Sequence, residues 1–221
     1  MGEASVSIPA GGGLRLEGML VLPDSARGVV AFAHGSGSSR LSPRNVYVAQ
    51  VLQENRIATM LFDLLTRHED SDYDNRFDIA LLTQRLLAAT AWLQDQPQTK
   101  GLKLGYFGAS TGAAAALRAA AKMGAQVAAV VSRGGRPDLA GREALERVAS
   151  PTLLIVGGYD GVVIDLNRQA ATHLGCEKEL VIVPGASHLF EEPGTLEQAA
   201  GHAAAWFERW FAPPPSEAAI P

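Results

Sequence analysis

Apolar and polar positions divide the chain into short segments of two kinds. The stretch Leu14-Arg-Leu-Glu-Gly-Met-Leu-Val alternates before turning wholly apolar, as a half-buried strand does. With residues 4–8, across the turn Gly11-Gly12-Gly13, it predicts an antiparallel pair. Residues 28–34, 58–64, 102–107, 127–131, 152–156 and 180–183 are short apolar runs of the kind buried on both faces of a sheet. Longer segments with helical spacing lie between or after them, at about 44–55, 77–94, 111–123, 141–148, 163–173 and 196–211. In the second of these, Ile79, Leu82, Leu86, Trp92 and Leu93 recur at helical spacing. Strands alternating with helices predict an α/β domain, with a mostly parallel sheet and helices on both faces. The length of 221 residues suits one domain, residues 1–211, and the Pro-rich tail 212–221 is expected to be disordered.

Composition narrows the classes. A chain that is 47% hydrophobic and 19% charged is not of the disordered type. Nineteen Lys and Arg against 23 Asp and Glu give a net charge of −4, which removes the electrostatic basis for binding nucleic acid or an anionic membrane. A single cysteine, Cys176, excludes an internal disulfide and any multi-cysteine metal centre. Residues 1–13 lack the basic start and apolar core of a signal peptide, and no apolar run reaches the roughly 18 residues that span a bilayer. The expected location is the cytoplasm. Glycine is in excess, at 23 of 221 residues, so its positions matter.

In a parallel sheet, ligands bind beyond the carboxyl ends of the strands. The run 102–107 leads directly into Gly108-Ala109-Ser110-Thr111-Gly112 and then a helix, the strand–turn–helix setting of a G-x-S-x-G nucleophile elbow. Such a sharp turn tolerates only small neighbours. A serine nucleophile needs a base, and the base needs an orienting carboxylate. The next two strand ends supply both: 152–156 exits into Gly157-Gly158-Tyr159-Asp160, and 180–183 into Pro184-Gly185-Ala186-Ser187-His188. The order Ser110, Asp160, His188 is that of an α/β-hydrolase triad. An oxyanion would be held by the N–H of Thr111, at the start of a helix, and by the N–H of Ser36 in the loop His34-Gly35-Ser36-Gly37. His34 itself is expected to organise that loop.

Together, His34-Gly-Ser-Gly, Gly-Ala-Ser110-Thr-Gly, Gly-Gly-Tyr-Asp160 and Pro-Gly-Ala-Ser-His188 resemble the dienelactone hydrolase-like branch of the α/β-hydrolases, over residues 28–211. The resemblance implies an eight-stranded sheet and ester hydrolysis through an acyl-enzyme, with no metal and no cofactor. Dienelactone hydrolases proper carry a cysteine nucleophile, whereas position 110 is serine, so a serine carboxylesterase is the function expected here. The same triad would serve a thioesterase or acyltransferase, and the fold without turnover would serve as a small-molecule-binding protein. Residues 132–150 leave room for only a short helix, so no cap domain is expected over the site. Arg133 and Arg136 follow the run 127–131, and Arg133 is a candidate for binding an anionic group of the substrate at the pocket rim. The expected partner is a small ester, acted on by a monomer or homodimer.

Two further patterns read as structural. Gly35-Ser-Gly37-Ser-Ser-Arg40 lacks the third glycine of a dinucleotide fingerprint, and Asp63 is expected to tie down its loop. Asp70-x-Asp72-x-Asp74 opens like a calcium loop but has Asn75 and Leu81 where that loop needs Gly and Glu.

Overall fold

A computed structural model describes residues 2–212; residues 213–221, most of the segment expected to be a disordered tail, lie outside the described residues. Eight strands form one sheet: β1 (Gly2–Pro9), β2 (Arg15–Leu22), β3 (Gly28–Ala33), β4 (Ile57–Phe62), β5 (Lys103–Ala109), β6 (Val127–Arg133), β7 (Thr152–Gly157) and β8 (Lys178–Val183). Their order is β1-β2-β4-β3-β5-β6-β7-β8. The β1–β2 and β2–β4 pairs are antiparallel, and every pairing from β4 through β3 to β8 is parallel. Among the described residues, seven α-helices accompany them: α1 (Pro43–Glu54), α2 (Arg67–Asp70), α3 (Ile79–Asp95), α4 (Thr111–Met123), α5 (Arg142–Arg147), α6 (Gly161–His173) and α7 (Thr195–Phe211).

The period of two in each central strand divides its side chains between two cores. In β3 every residue is buried, Val29, Ala31 and Ala33 joining one cluster and Val30 and Phe32 the other. The first cluster is completed by α3, α4, α5 and α6, and the second by α1 and α7. Alanine dominates α4, where residues 113–116, Ala119 and Ala120 are fully buried. Alanine carries the best helix propensity and the smallest side chain, so α4 forms readily and lies close on the sheet. On the opposite face, α7 sets Phe207 and Phe211 against glycine. A Cβ on Gly105 would come within 2.6 Å of the Phe207 ring, so the strand yields its side chain to the helix.

The sequence boundaries hold to within a few residues, with one consequential shift. Strand β6 continues through Arg133 instead of ending at residue 131, because Ser132 and Arg133 pair with both β5 and β7. Short elements not expected from the sequence include two before α3. One is α2, closed by a Thr66–Glu69 capping box, and the other is a 3-10 turn over Asp74–Phe77. Between β6 and β7 the chain makes only a 3-10 turn (Pro137–Ala140) and the six-residue α5, so no cap layer covers the carboxyl ends of the strands.

Candidate active site

Strand β5 runs into α4 through Ser110, whose backbone has φ 49° and ψ −120°. A non-glycine residue there stores strain, on the order of 1–3 kcal/mol. The surroundings hold it in place. The Ser110 N–H donates to the Arg133 carbonyl (3.3 Å), and the Ser110 carbonyl accepts from the N–H groups of Ala113 (3.1 Å) and Arg136 (3.0 Å). The flanking glycines leave the space this turn needs. A Cβ on Gly108 would lie 2.4 Å from the Ala113 Cα, and one on Gly112 would lie 2.1 Å from the Ala33 carbonyl oxygen.

His188 leaves β8 on a loop pinned on both sides. The Ser187 N–H donates to the Glu192 carboxylate (2.9 Å), and Phe190 is buried with φ 56°. The His188 Nδ1 lies 2.6 Å from the Asp160 Oδ2. A carboxylate only accepts, so Nδ1 carries the proton and Nε2 is left as the acceptor in the neutral ring. Asp160 stands at the N-cap position of α6, yet its side chain makes no capping bond there; it is turned to the imidazole instead. Ser110 and His188 line one cavity of about 220 Å³. Catalytic serine–histidine contacts commonly tighten only when substrate is bound.

The loop after β3 forms the facing wall. Gly35 packs directly on Ser110, since a Cβ there would be 3.1 Å from the serine Cβ, and the next residue, Ser36, lines the same cavity as Ser110. Among the described residues, the N–H groups of Ser36 and Thr111 are committed to no turn or loop acceptor. His34 fastens the loop: its Nε2 accepts from the Leu64 N–H (3.0 Å), so its protonated Nδ1 donates to the Gly35 carbonyl (2.9 Å). Burial holds the His34 imidazole below its ordinary pKa, which keeps it neutral. Asp63 ties the same loop, accepting from the Arg40 N–H (2.7 Å) and pairing with the Arg40 guanidinium. Asp70 forms a bidentate pair with Arg76, and among the described residues no three His, Cys, Asp or Glu side chains converge.

Arg133 requires a correction. As the last residue of β6 it is not on the rim; it is 7% exposed and forms part of the cavity wall. Its guanidinium lies over Phe107 and Phe190, with ring centroids at 5.7 and 5.9 Å, and donates to the Asn45 Oδ1 at 3.2 Å. Arg136 faces away, in a bidentate pair with Asp138. Asn45 and Glu192 were not singled out from the sequence, whereas Arg44, expected only as an anchor of the loop after β3, lines the cavity and pairs with Glu191. Nothing local marks Asn45, whose partner is 88 residues away. A signal did exist for α1, where Ser42-Pro43 is a cap followed by proline at the first helical position.

An eight-stranded sheet of this order, with a strained serine between strand and helix and a histidine–aspartate pair at neighbouring strand ends, defines an α/β-hydrolase. Residues 16–213 match the model of the dienelactone hydrolase family, and the chain belongs to that family. It is similar over 95% of its length to a crystallised dienelactone hydrolase from Anabaena variabilis, at 56% identity, 98% coverage of that chain and a TM-score of 0.91. Est1E from Butyrivibrio proteoclasticus shares the fold, at 15% identity and a TM-score of 0.81 over 95% of this chain and 99% of that one. The chain is also 58% identical over 196 residues to a Mycobacterium tuberculosis protein (strain CDC 1551 / Oshkosh) named "Putative phosphoribosyl transferase MT0597". That match takes in 89% of this chain but 44% of the relative, so the chain spans less than half the length of that protein.

Proposed function

We propose that this hydrolase cleaves carboxylic esters of small acyl groups through an acyl-enzyme formed on Ser110. The observation that carries the reading is that His188, held 2.6 Å from Asp160, lines the same cavity as a serine in a strained strand-to-helix turn. His188 Nε2 takes the Ser110 proton as Oγ attacks the ester carbonyl. Asp160 keeps the ring in the tautomer that can accept, and stabilises the imidazolium that results. The N–H groups of Thr111 and Ser36 receive the oxyanion, the first aided by the amino end of α4. The imidazolium then protonates the departing alkoxide. Water, deprotonated by the same histidine, attacks the acyl-enzyme, and collapse of the second tetrahedral intermediate returns the proton to Ser110 as the acid leaves. Phosphoribosyl transfer, in the name of the longer relatives, is assigned in this proposal to the part of those proteins that the chain does not match.

The test uses p-nitrophenyl acetate and a fluorophosphonate probe. Wild-type protein should hydrolyse the ester and be labelled at Ser110. Ser110→Ala should lose labelling and at least about 10³-fold in kcat. An unlabelled wild-type protein with no turnover would make this a binding protein on a hydrolase fold. Faster turnover of a matched thioester, or transfer to an added alcohol in preference to water, would move the assignment to thioesterase or acyltransferase.

A further inference from the structure

Among the described residues, the positive charge buried beside Ser110 has no negative partner. Arg133 donates one hydrogen bond, to the neutral Asn45, and rests on two aromatic faces. Its Nη1 is buried and has no hydrogen-bond partner among the described residues, and no carboxylate pairs with this guanidinium there. Burying a guanidinium without a counter-charge is costly, and structural arginines normally meet a carboxylate or several carbonyls.

The neighbours deepen the imbalance. Arg44 lines the same cavity, and its charge adds to burial in pushing Arg133 down to about 10, so Arg133 is still cationic at neutral pH. Arg44's own partner, Glu191, is a single contact of 3.3 Å made at the exposed surface. Helix α1 presents its first turn here as well: Ser42, Arg44 and Asn45 all line the cavity, which adds the positive end of a twelve-residue helix. Asn45 gives its oxygen to Arg133, which leaves its amide N–H groups to donate to something else. Among the described residues, no aspartate or glutamate lines the cavity.

We propose that this wall is a subsite for a doubly charged oxyanion, and that the physiological ester carries a phosphate monoester or phosphonate group held by Arg133, Arg44, Asn45 and the amino end of α1. A single carboxylate would balance Arg133 and leave Arg44 and the helix end unanswered, whereas a phosphoryl group has both the second charge and the extra acceptor oxygens. The inference rests on the esterase reading for the reaction, but binding of the anion can be measured without it.

Calorimetric titration of Ser110→Ala protein with phenyl phosphate and with benzoate isolates the subsite from the chemistry. Phenyl phosphate should bind at least tenfold more tightly than benzoate. Adding Arg133→Met should weaken it at least tenfold. Adding Arg44→Ala, at a half-exposed position that the core does not need, should weaken it severalfold and covers the case in which Arg133→Met fails to fold. On otherwise wild-type protein, kcat/KM for the p-nitrophenyl ester of 3-phosphonopropionate should exceed that for the butyrate at least tenfold, and Arg44→Ala should shrink that ratio. Equal affinity for phenyl phosphate and benzoate, or binding indifferent to Arg44 and Arg133, overturns the subsite. Hydrolysis of p-nitrophenyl acetate without any phenyl phosphate binding removes the subsite and leaves the esterase standing. Phenyl phosphate binding without ester turnover does the reverse.

Discussion

Single atoms decide much of this site. Asp160 could have capped α6 and instead serves His188, so its removal should act on the tautomer and orientation of the imidazole. Asp160→Asn is expected to lower kcat on p-nitrophenyl acetate by roughly 10³–10⁴-fold with little change in KM. His34 works at one remove, as a positioning residue between the Leu64 N–H and the Gly35 carbonyl. Its folded-state pKa is depressed, so as pH falls through the ordinary histidine range the unfolded chain takes up a proton that the native ring refuses. Stability should therefore be full above about pH 6.5 and decline on acidification, at a slope of up to about 1.4 kcal/mol per pH unit from this group. Urea titrations from pH 7.5 to 5 should show that slope in the wild type and a shallower one in His34→Gln. An unchanged slope would mean that His34 is not the group responsible.

Among the elements, α7 carries the largest apolar load on its face of the sheet, with Phe207 fully buried and Phe211 at 2% exposure. Phe207 fills the space that Gly105 leaves in β5, so Phe207→Ala would open a cavity that neighbouring strands cannot close. The expected loss is about 3–5 kcal/mol, which in a domain of this size lowers Tm by roughly 6–20 °C. Activity measured well below the new Tm should change little, since α7 adds no side chain to the cavity. The loops at the carboxyl ends behave differently: they are short and cross-tied, by Arg40 to Asp63, Ser187 to Glu192 and Arg44 to Glu191. The first ties the loop after β3 to the end of β4, the second braces the loop that carries His188, and the third joins that loop to α1.

At the scale of the molecule, the site is a small opening at the carboxyl ends of the central strands, with no layer built over it. The cavity of about 220 Å³ is below the usual range of enclosed ligand pockets, and half its wall is polar in character, with Ser36, Ser38 and Ser42 beside the arginines. Exposed large apolar side chains are carried by the loops around this end, among them Leu41, Tyr159 and Leu189. Such a site suits short acyl groups. In a graded p-nitrophenyl series, kcat/KM should peak at acetate to butyrate and fall by at least tenfold at decanoate. A maximum at long chains would require an apolar channel that the walls do not contain.

Period-two runs and helical repeats were enough to place all eight strands and the main helices, because local backbone preference and burial on two faces write themselves into consecutive residues. They also put Ser110, Asp160 and His188 after the ends of β5, β7 and β8, which parallel topology places on one side of the sheet. The short α2 escaped, being held by one capping box instead of a periodic face. Arg133 was noticed but misplaced, because β6 continues two residues beyond its apolar run through pairing on both edges. Sequence by itself thus determined the strands and main helices, the strand ends that carry Ser110, Asp160 and His188, and the small residues flanking Ser110, each a property of neighbours along the chain. Only the tertiary structure decided that Asp160 turns to His188, that Glu192 braces the histidine loop, and that Arg133 meets Asn45 in place of a carboxylate. Those are contacts between separate strand ends and helices, and a charge left unpaired is defined by everything that surrounds it in space.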